Sequence, residues 1–110
     1  MGLLAGENDM DLLDATKVGR DINRHYYTRE EVLSDLNKPV VKRLLDLMCM
    51  RNTHPAFGCA FSSSAPAAHL LTLNWQNGSA YARLEVDLAT RSGRIVHGLT
   101  ADEQVVFELR

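Results

Sequence analysis

Several absences narrow this chain before any motif is considered. It lacks a basic excess: 12 lysines and arginines stand against 14 aspartates and glutamates, a net charge of −2. Nucleic-acid binders usually carry a clear positive surplus, so no nucleic-acid partner is expected. No apolar run approaches the length that spans a bilayer, so no membrane segment is expected. Nor is there a basic-then-apolar start followed by a small-residue cleavage site, so no secretory leader is expected. Cysteine is scarce, with only Cys49 and Cys59. Neither has a second cysteine or a histidine at the spacing of a zinc or redox motif, and both read as reduced thiols acting as small apolar residues. That usage fits a cytoplasmic location. His25, His54, His69 and His97 form no H-x-x-x-H or H-E-x-x-H pair, so no metal is expected and single surface or half-buried histidines are the reading. Ser62 to Ser64 lack the context of a nucleophile elbow.

What is present amounts to one ordinary soluble domain: 110 residues, 45% hydrophobic and 24% charged. It falls into three parts. Residues 1–27 are polar and loop-like, with one short helical candidate. There Asn8 serves as N-cap, Asp9 and Asp11 occupy the first turn where the helix dipole favours negative charge, and Gly19 is the stop. So long a polar stretch before the first extended element is unusual in a compact domain. Residues 28–55 are helical. Thr28 to Glu31 spell a capping box, and Pro39 restarts the helix, with Asn37 as its cap. The apolar stripe Val40, Val41, Leu44, Leu45, Leu47 and Met48 is wider than one packed face requires. His54-Pro55 closes the region.

Residues 56–110 change period from helical to alternating. Leu71, Leu73 and Trp75 share one strand face, and residues 81–88 set Tyr81, Arg83, Glu85 and Asp87 against Ala82, Leu84, Val86 and Leu88. Asn77-Gly78 predicts a type I′ hairpin ahead of its alternative reading as a glycosylation sequon. Arg91 to Gly93 predict the next turn, and Val105, Phe107 and Leu109 alternate in a closing strand. With a further strand at Phe57–Phe61 and a loop at 62–68, the expectation is an antiparallel sheet of about five strands. The fold class is therefore α+β.

Two clusters could carry chemistry. Glu7, Asp9, Asp11 and Asp14 supply the carboxylates that glycoside chemistry requires, but capping and solvation account for them equally well. The stretch "GRDINRHYY", Gly19 to Tyr27, is harder to dismiss. A guanidinium is a planar fork of donors suited to vicinal hydroxyls, a carboxylate or a phosphate. Asp21 can orient a neighbouring arginine, a tyrosine offers a ring face with a polar tip, and Gly19 would permit a turn that a side chain would forbid. The plainer reading is a salt-bridged surface loop leading into the capped helix.

Three segments, "GLLAGENDMDLL", "GRDINRHYYTREEV" and "KPVVKRLLDLMCMRNTHPAF", together resemble the C-terminal part of the sucrose phosphorylase family. These are glycoside phosphorylases of the α-amylase superfamily, and they include sucrose 6-phosphate and glucosylglycerate phosphorylases. The resemblance runs in one register from Gly2 to about Phe57, and "RNTHPAF" leans toward the glucosylglycerate type. It implies a parent (β/α)8 barrel followed by a small β domain. Residues 1–27 would then be the strand-to-helix loop of the last barrel unit, 28–55 its helix region, broken near Pro39, and 56–110 the C-terminal domain. Barrel sites are built by such loops.

The reaction implied is a retaining phosphorolysis of an α-glucoside to α-glucose 1-phosphate, by an aspartate nucleophile and a glutamate acid. Neither residue is matched in this chain, so catalysis by it alone is not expected. Arg20 carries over as a glucose-binding arginine, with Asp21, Asn23 and Arg24 in support, and no metal or cofactor is implied. The partners implied are the missing barrel, the α-glucoside and phosphate, with self-association of the fragment. The competing expectation is a self-contained, non-enzymatic β-rich binding module, which would have to bury Val40, Val41, Leu44, Leu45 and Leu47 within itself.

Overall fold

The computed structural model describes residues 2–109. Helical elements precede the sheet: α1 (Met10–Thr16), a 3-10 helix η1 (Gly19–Asn23), α2 (Arg29–Asp35), α3 (Pro39–Thr53) and a second 3-10 helix η2 (Pro55–Gly58). Strands β1 (Ala60–Ala67), β2 (Leu70–Asn77), β3 (Ala80–Asp87), β4 (Ser92–Gly98) and β5 (Val105–Leu109) follow. The class is α+β, and the strands form one antiparallel meander in the order β1-β2-β3-β4-β5. The chain divides into two compact units, Met1–Met50 and Arg51–Arg110. Among the described residues no helix is long and apolar enough to cross a membrane.

Caps delimit the elements of the first unit. The Asp9 carboxylate, not Asn8, caps α1, accepting from the Leu12 amide at 2.8 Å. The helix ends at Lys17, which takes the left-handed conformation (φ 56°) two residues before the expected stop. Gly19 instead opens η1, and its φ is not positive. No heavy atom lies within 4 Å of where its Cβ would stand, so the turn does not use the freedom of a glycine. The capping box of α2 forms as the sequence predicts: Thr28 Oγ1 accepts from the Glu31 amide and Glu31 Oε2 from the Thr28 amide. Pro39 begins α3, where its missing N–H has no intrahelical role. The expected cap is displaced, however. Asn37 turns its amide back onto the Leu33 carbonyl, and the Lys38 carbonyl accepts the first α3 bond, from Lys42 at 3.0 Å. Within this unit's described residues Val41, 1% exposed, is alone in being buried. Val40 is 60% exposed, and Met10, Leu33 and Met48 are exposed as well.

The sheet unit packs through small residues. Trp75 pairs with Ala82 across β2 and β3, and buried Ala56, Ala80 and Ala82 leave room for the rings of Phe57 and Trp75, whose centroids are 5.1 Å apart. Arg51 covers the other side of Phe57, its guanidinium carbon 4.7 Å from the ring centroid. Ile95 and Val96 are buried in β4.

Four local expectations change here. Residues 62–67 are not a loop: Ser62, Ser63 and Ser64 pair with Asn74, Leu73 and Thr72, and the register slips before Ala67 meets Leu70. Pro66 falls in that slip on an edge strand, where a missing donor removes no regular ladder bond. The strand expected at Phe57–Phe61 starts only at Ala60, because residues Pro55–Gly58 form η2, capped by His54 Nδ1 accepting from the Ala56 amide. Asn77 pairs with Ala80, so the hairpin turns on Gly78–Ser79 rather than Asn77–Gly78. Only Gly78 has positive φ (59°), the signature of a II′ turn, whereas I′ needs both central residues there. The next turn also comes earlier than predicted. Asp87 pairs with Ser92, Asp87 Oδ1 accepts from the amides of Ala89 and Thr90, and Ser92-Gly93 are already strand.

Candidate functional site

The stretch Gly19 to Tyr27 folds as the η1 turn followed by a short extended link into α2. Arg20 lies exposed on η1 and makes no ion pair or hydrogen bond among the described residues. Asp21 does orient an arginine, but it is Arg24, one 3-10 turn further on, at 3.9 Å. Asn23 is exposed beside them. Of the four expected site residues, then, two form a pair and Arg20 presents a free guanidinium fork.

The polar centre of this unit is elsewhere, at His25, which the motif logic of the sequence passed over. Its Nδ1 lies 2.7 Å from Asp9 Oδ2 and its Nε2 3.2 Å from Glu31 Oε1. Both carboxylates are helix caps that spend one oxygen on an amide and keep the other for the ring. Tyr27 meets the ring edge-on, with centroids 4.7 Å apart. The hydrogen bond to Asp9, then that to Glu31, raises the His25 pKa above its ordinary value. The Asp9 carboxyl is lowered, first by His25 and then by the Leu12 amide. The Glu31 carboxyl is lowered chiefly by the Thr28 amide and hydroxyl, with His25 adding to them. Glu31 holds the capping-box position that the sequence assigns to it, whereas Asp9, expected in the first turn, is itself the cap. The signal the sequence lacked was the second oxygen of each cap, which a histidine between the two helices can reach.

His25 and Tyr27 stand on the wall of an open cavity of about 430 Å³, whose rim runs from Gly6 to Asp11 and is closed by Asp35 and Lys38. Lys38 Nζ is held by Asp35 at 2.8 Å, and it also reaches the carbonyls of Leu4 and Ala5. None of Arg20, Asp21, Asn23 and Arg24 lines this cavity. In the sheet unit, His54 and His97 stack edge-to-face with centroids 4.9 Å apart. Burial, then the neighbouring His54, lowers His97. Cys49 and Cys59 are exposed rather than packed as small apolar side chains.

Comparison with known proteins places this geometry in context. No protein-family model matches the chain. A sucrose phosphorylase from Agrobacterium vitis is 47% identical over 89 residues, covering 81% of this chain and 18% of that protein. A glucosylglycerol phosphorylase from Marinobacter adhaerens is 43% identical over 97 residues, covering 88% and 20%. The crystal structure of a sucrose 6F-phosphate phosphorylase from Thermoanaerobacter thermosaccharolyticum superposes with a TM-score of 0.92 at 35% identity, over 98% of this chain and 22% of that one. The chain thus spans about a fifth of the length of the relatives it matches.

Proposed function

From the premise that this chain belongs to the sucrose phosphorylase family, we propose that it serves as the C-terminal part of a retaining glucosyl-transferring phosphorylase and has no catalysis of its own. The observation that carries the reading is the match itself: 98% of the chain superposes on 22% of a known phosphorylase. In this reading residues 1–27 form the strand-to-helix loop of the last barrel unit, 28–55 the helix region and 56–110 the C-terminal β domain. The nucleophilic aspartate and acid glutamate would come from the missing barrel. The substrates would be an α-glucoside and phosphate, with no cofactor.

Two features of the structure support it. The Arg20 guanidinium is exposed and unspent, as a group awaiting sugar hydroxyls should be. The apolar stripe of α3 is only partly covered, with Val40 and Met48 exposed, Leu44, Leu45 and Leu47 half-buried and Val41 alone buried, as expected of a helix that packs on a missing barrel and self-associates without it. A self-contained module would have buried that stripe.

The test is a fusion of this chain to the N-terminal remainder of the Agrobacterium vitis sucrose phosphorylase. The matched relatives divide among sucrose, sucrose 6F-phosphate and glucosylglycerol phosphorylases. The assay panel therefore holds all three donors, with glucosylglycerate added. The fusion should cleave one of them in a phosphate-dependent reaction, and the 110-residue chain should cleave none. Arg20→Ala should reduce kcat/KM of the fusion on the order of 100-fold, the loss of charge-assisted hydrogen bonds to the donor. Turnover by the chain alone, or an Arg20→Ala fusion as active as its parent, would overturn the reading.

A further inference from the structure

We propose that His25 is a positioning residue: a doubly protonated ring strapped between the carboxylates of Asp9 and Glu31, it holds the η1 turn, and Arg20 with it, in place. This deepens the sugar-subsite reading of Arg20 and rests on it for any effect on turnover.

An ionised carboxylate can only accept, and a neutral imidazole has one N–H. Contacts from both ring nitrogens to carboxylate oxygens, at 2.7 and 3.2 Å, therefore exist together only in the cation. Each carboxylate is itself fixed by an amide, Asp9 by that of Leu12 and Glu31 by that of Thr28. The ring consequently ties the start of α1 to the start of α2. Between these anchors lies η1, and it is held from both sides. Asp9 donates its own backbone N–H to the Ile22 carbonyl at 2.8 Å, and His25 stands two residues beyond Asn23, the last residue of the turn. Tyr27, edge-on to the ring, limits its rotation.

The other charged groups of the adjoining wall act in the same direction. Glu7 and Asp11 add negative charge, and Lys38, the one lysine or arginine there among the described residues, is paired with Asp35. As ordinary surface ion pairs these contacts would count for little. Their weight here is in orientation, because the Asp21–Arg24 pair is the only side-chain ion pair within the turn segment itself among the described residues. On deprotonation the ring keeps one bond of the two, and the longer, to Glu31, is the one released.

The test is a pH titration of the isotopically labelled chain by NMR, following the His25 ring nitrogens and the backbone amides of Arg20, Ile22 and Arg24. At mildly acidic pH both nitrogens should report an imidazolium, and the ring should titrate above about 6.5, the ordinary histidine value. The three turn amides should shift with the same midpoint while those of Ala82 and Ile95 stay still. Glu31→Gln should lower the midpoint, and His25→Gln should abolish the pH response of the turn. If His25→Gln fails to fold, Glu31→Gln alone decides the matter. A ring that titrates at or below the ordinary value, or turn amides that ignore it, would overturn the proposal. Arg20→Ala should leave the titration unchanged, so failure of the sugar-subsite reading in the fusion enzyme is distinguishable from failure of the brace.

Discussion

Residues 51–109 and residues 2–50 are similar in size and spend their apolar side chains in opposite ways. In the sheet unit, pairing between neighbouring strands satisfies the inner backbone groups of the meander, and Ala56, Ala80, Ala82, Ile95 and Val96 are buried. Packing there is mutual, Trp75 against Ala82 and Phe57 against Trp75. In the helical unit α1 and α2 both carry side-chain N-caps, yet Val41 is alone in being buried among the described residues. Helices as short as α1 and α2 draw little stability from their own hydrogen bonds and depend on packing. Good local signals and a self-sufficient core are therefore separate properties. The sheet unit has both, and the helical unit has the first.

The largest effect is expected in the sheet core. Ile95 is 6% exposed in β4, so Ile95→Ala removes buried methyl groups and leaves a cavity, a loss of about 3 kcal/mol. Urea unfolding followed by the fluorescence of Trp75, the chain's single tryptophan, reads this unit directly. A loss below about 1 kcal/mol would mean that the core is loose and that the two units are less different than their burial implies.

Much of this contrast was legible in the sequence. The change of period near residue 56, the capping box at Thr28 and the over-wide stripe of α3 each reported a physical requirement that the local chain already carried. What escaped were features settled by partners distant in sequence. Serine-rich Ser62–Ala67 reads as a loop by composition, and only pairing with β2 makes it a strand. Asn77-Gly78 satisfies a hairpin rule, but the register places Gly78 first in the turn and thereby selects the II′ form. The Asp9–His25–Glu31 ladder spans 16 and 6 residues, and no short motif encodes it. Arg20 is a candidate only through the family resemblance, since nothing in its local contacts distinguishes it from a surface arginine.

A milder perturbation is pH, which acts on the helical unit. Asp9 and Glu31 are lowered on folding. Their contribution is fully present above the unfolded carboxylate values, about 4, and is lost as pH falls through the folded values. His25 is raised, so its contribution is complete below about 6.5 and is lost as pH rises through its folded value. The ladder is therefore most effective between about pH 4.5 and 6.5. Far-UV circular dichroism should show helix content highest in that window, and His25→Gln should flatten the alkaline limb. A helix signal indifferent to pH across both limbs would remove the ladder as a support of this unit.

The smallest effect on stability is expected where the eye would place a core residue, at Val40 on the stripe of α3. Its neighbour Val41 is 1% exposed while Val40 is 60% exposed, so adjacent residues of one type sit in opposite environments. Substitutions at exposed helix positions change stability by no more than about 0.5 kcal/mol, and lysine is a good helix former. Val40→Lys should therefore leave the thermal and urea midpoints of the isolated chain almost unchanged. It should nevertheless alter behaviour, because an exposed apolar stripe is what drives a chain of this kind to self-associate. Light scattering across a concentration series should show the wild type associating and Val40→Lys markedly less so. Should the wild type stay monomeric throughout, the stripe is not a contact surface by itself. Should Val40→Lys instead destabilise the fold by about 2 kcal/mol, as a buried position would, Val40 belongs to a core and the helical unit is closer to self-contained than its surface indicates.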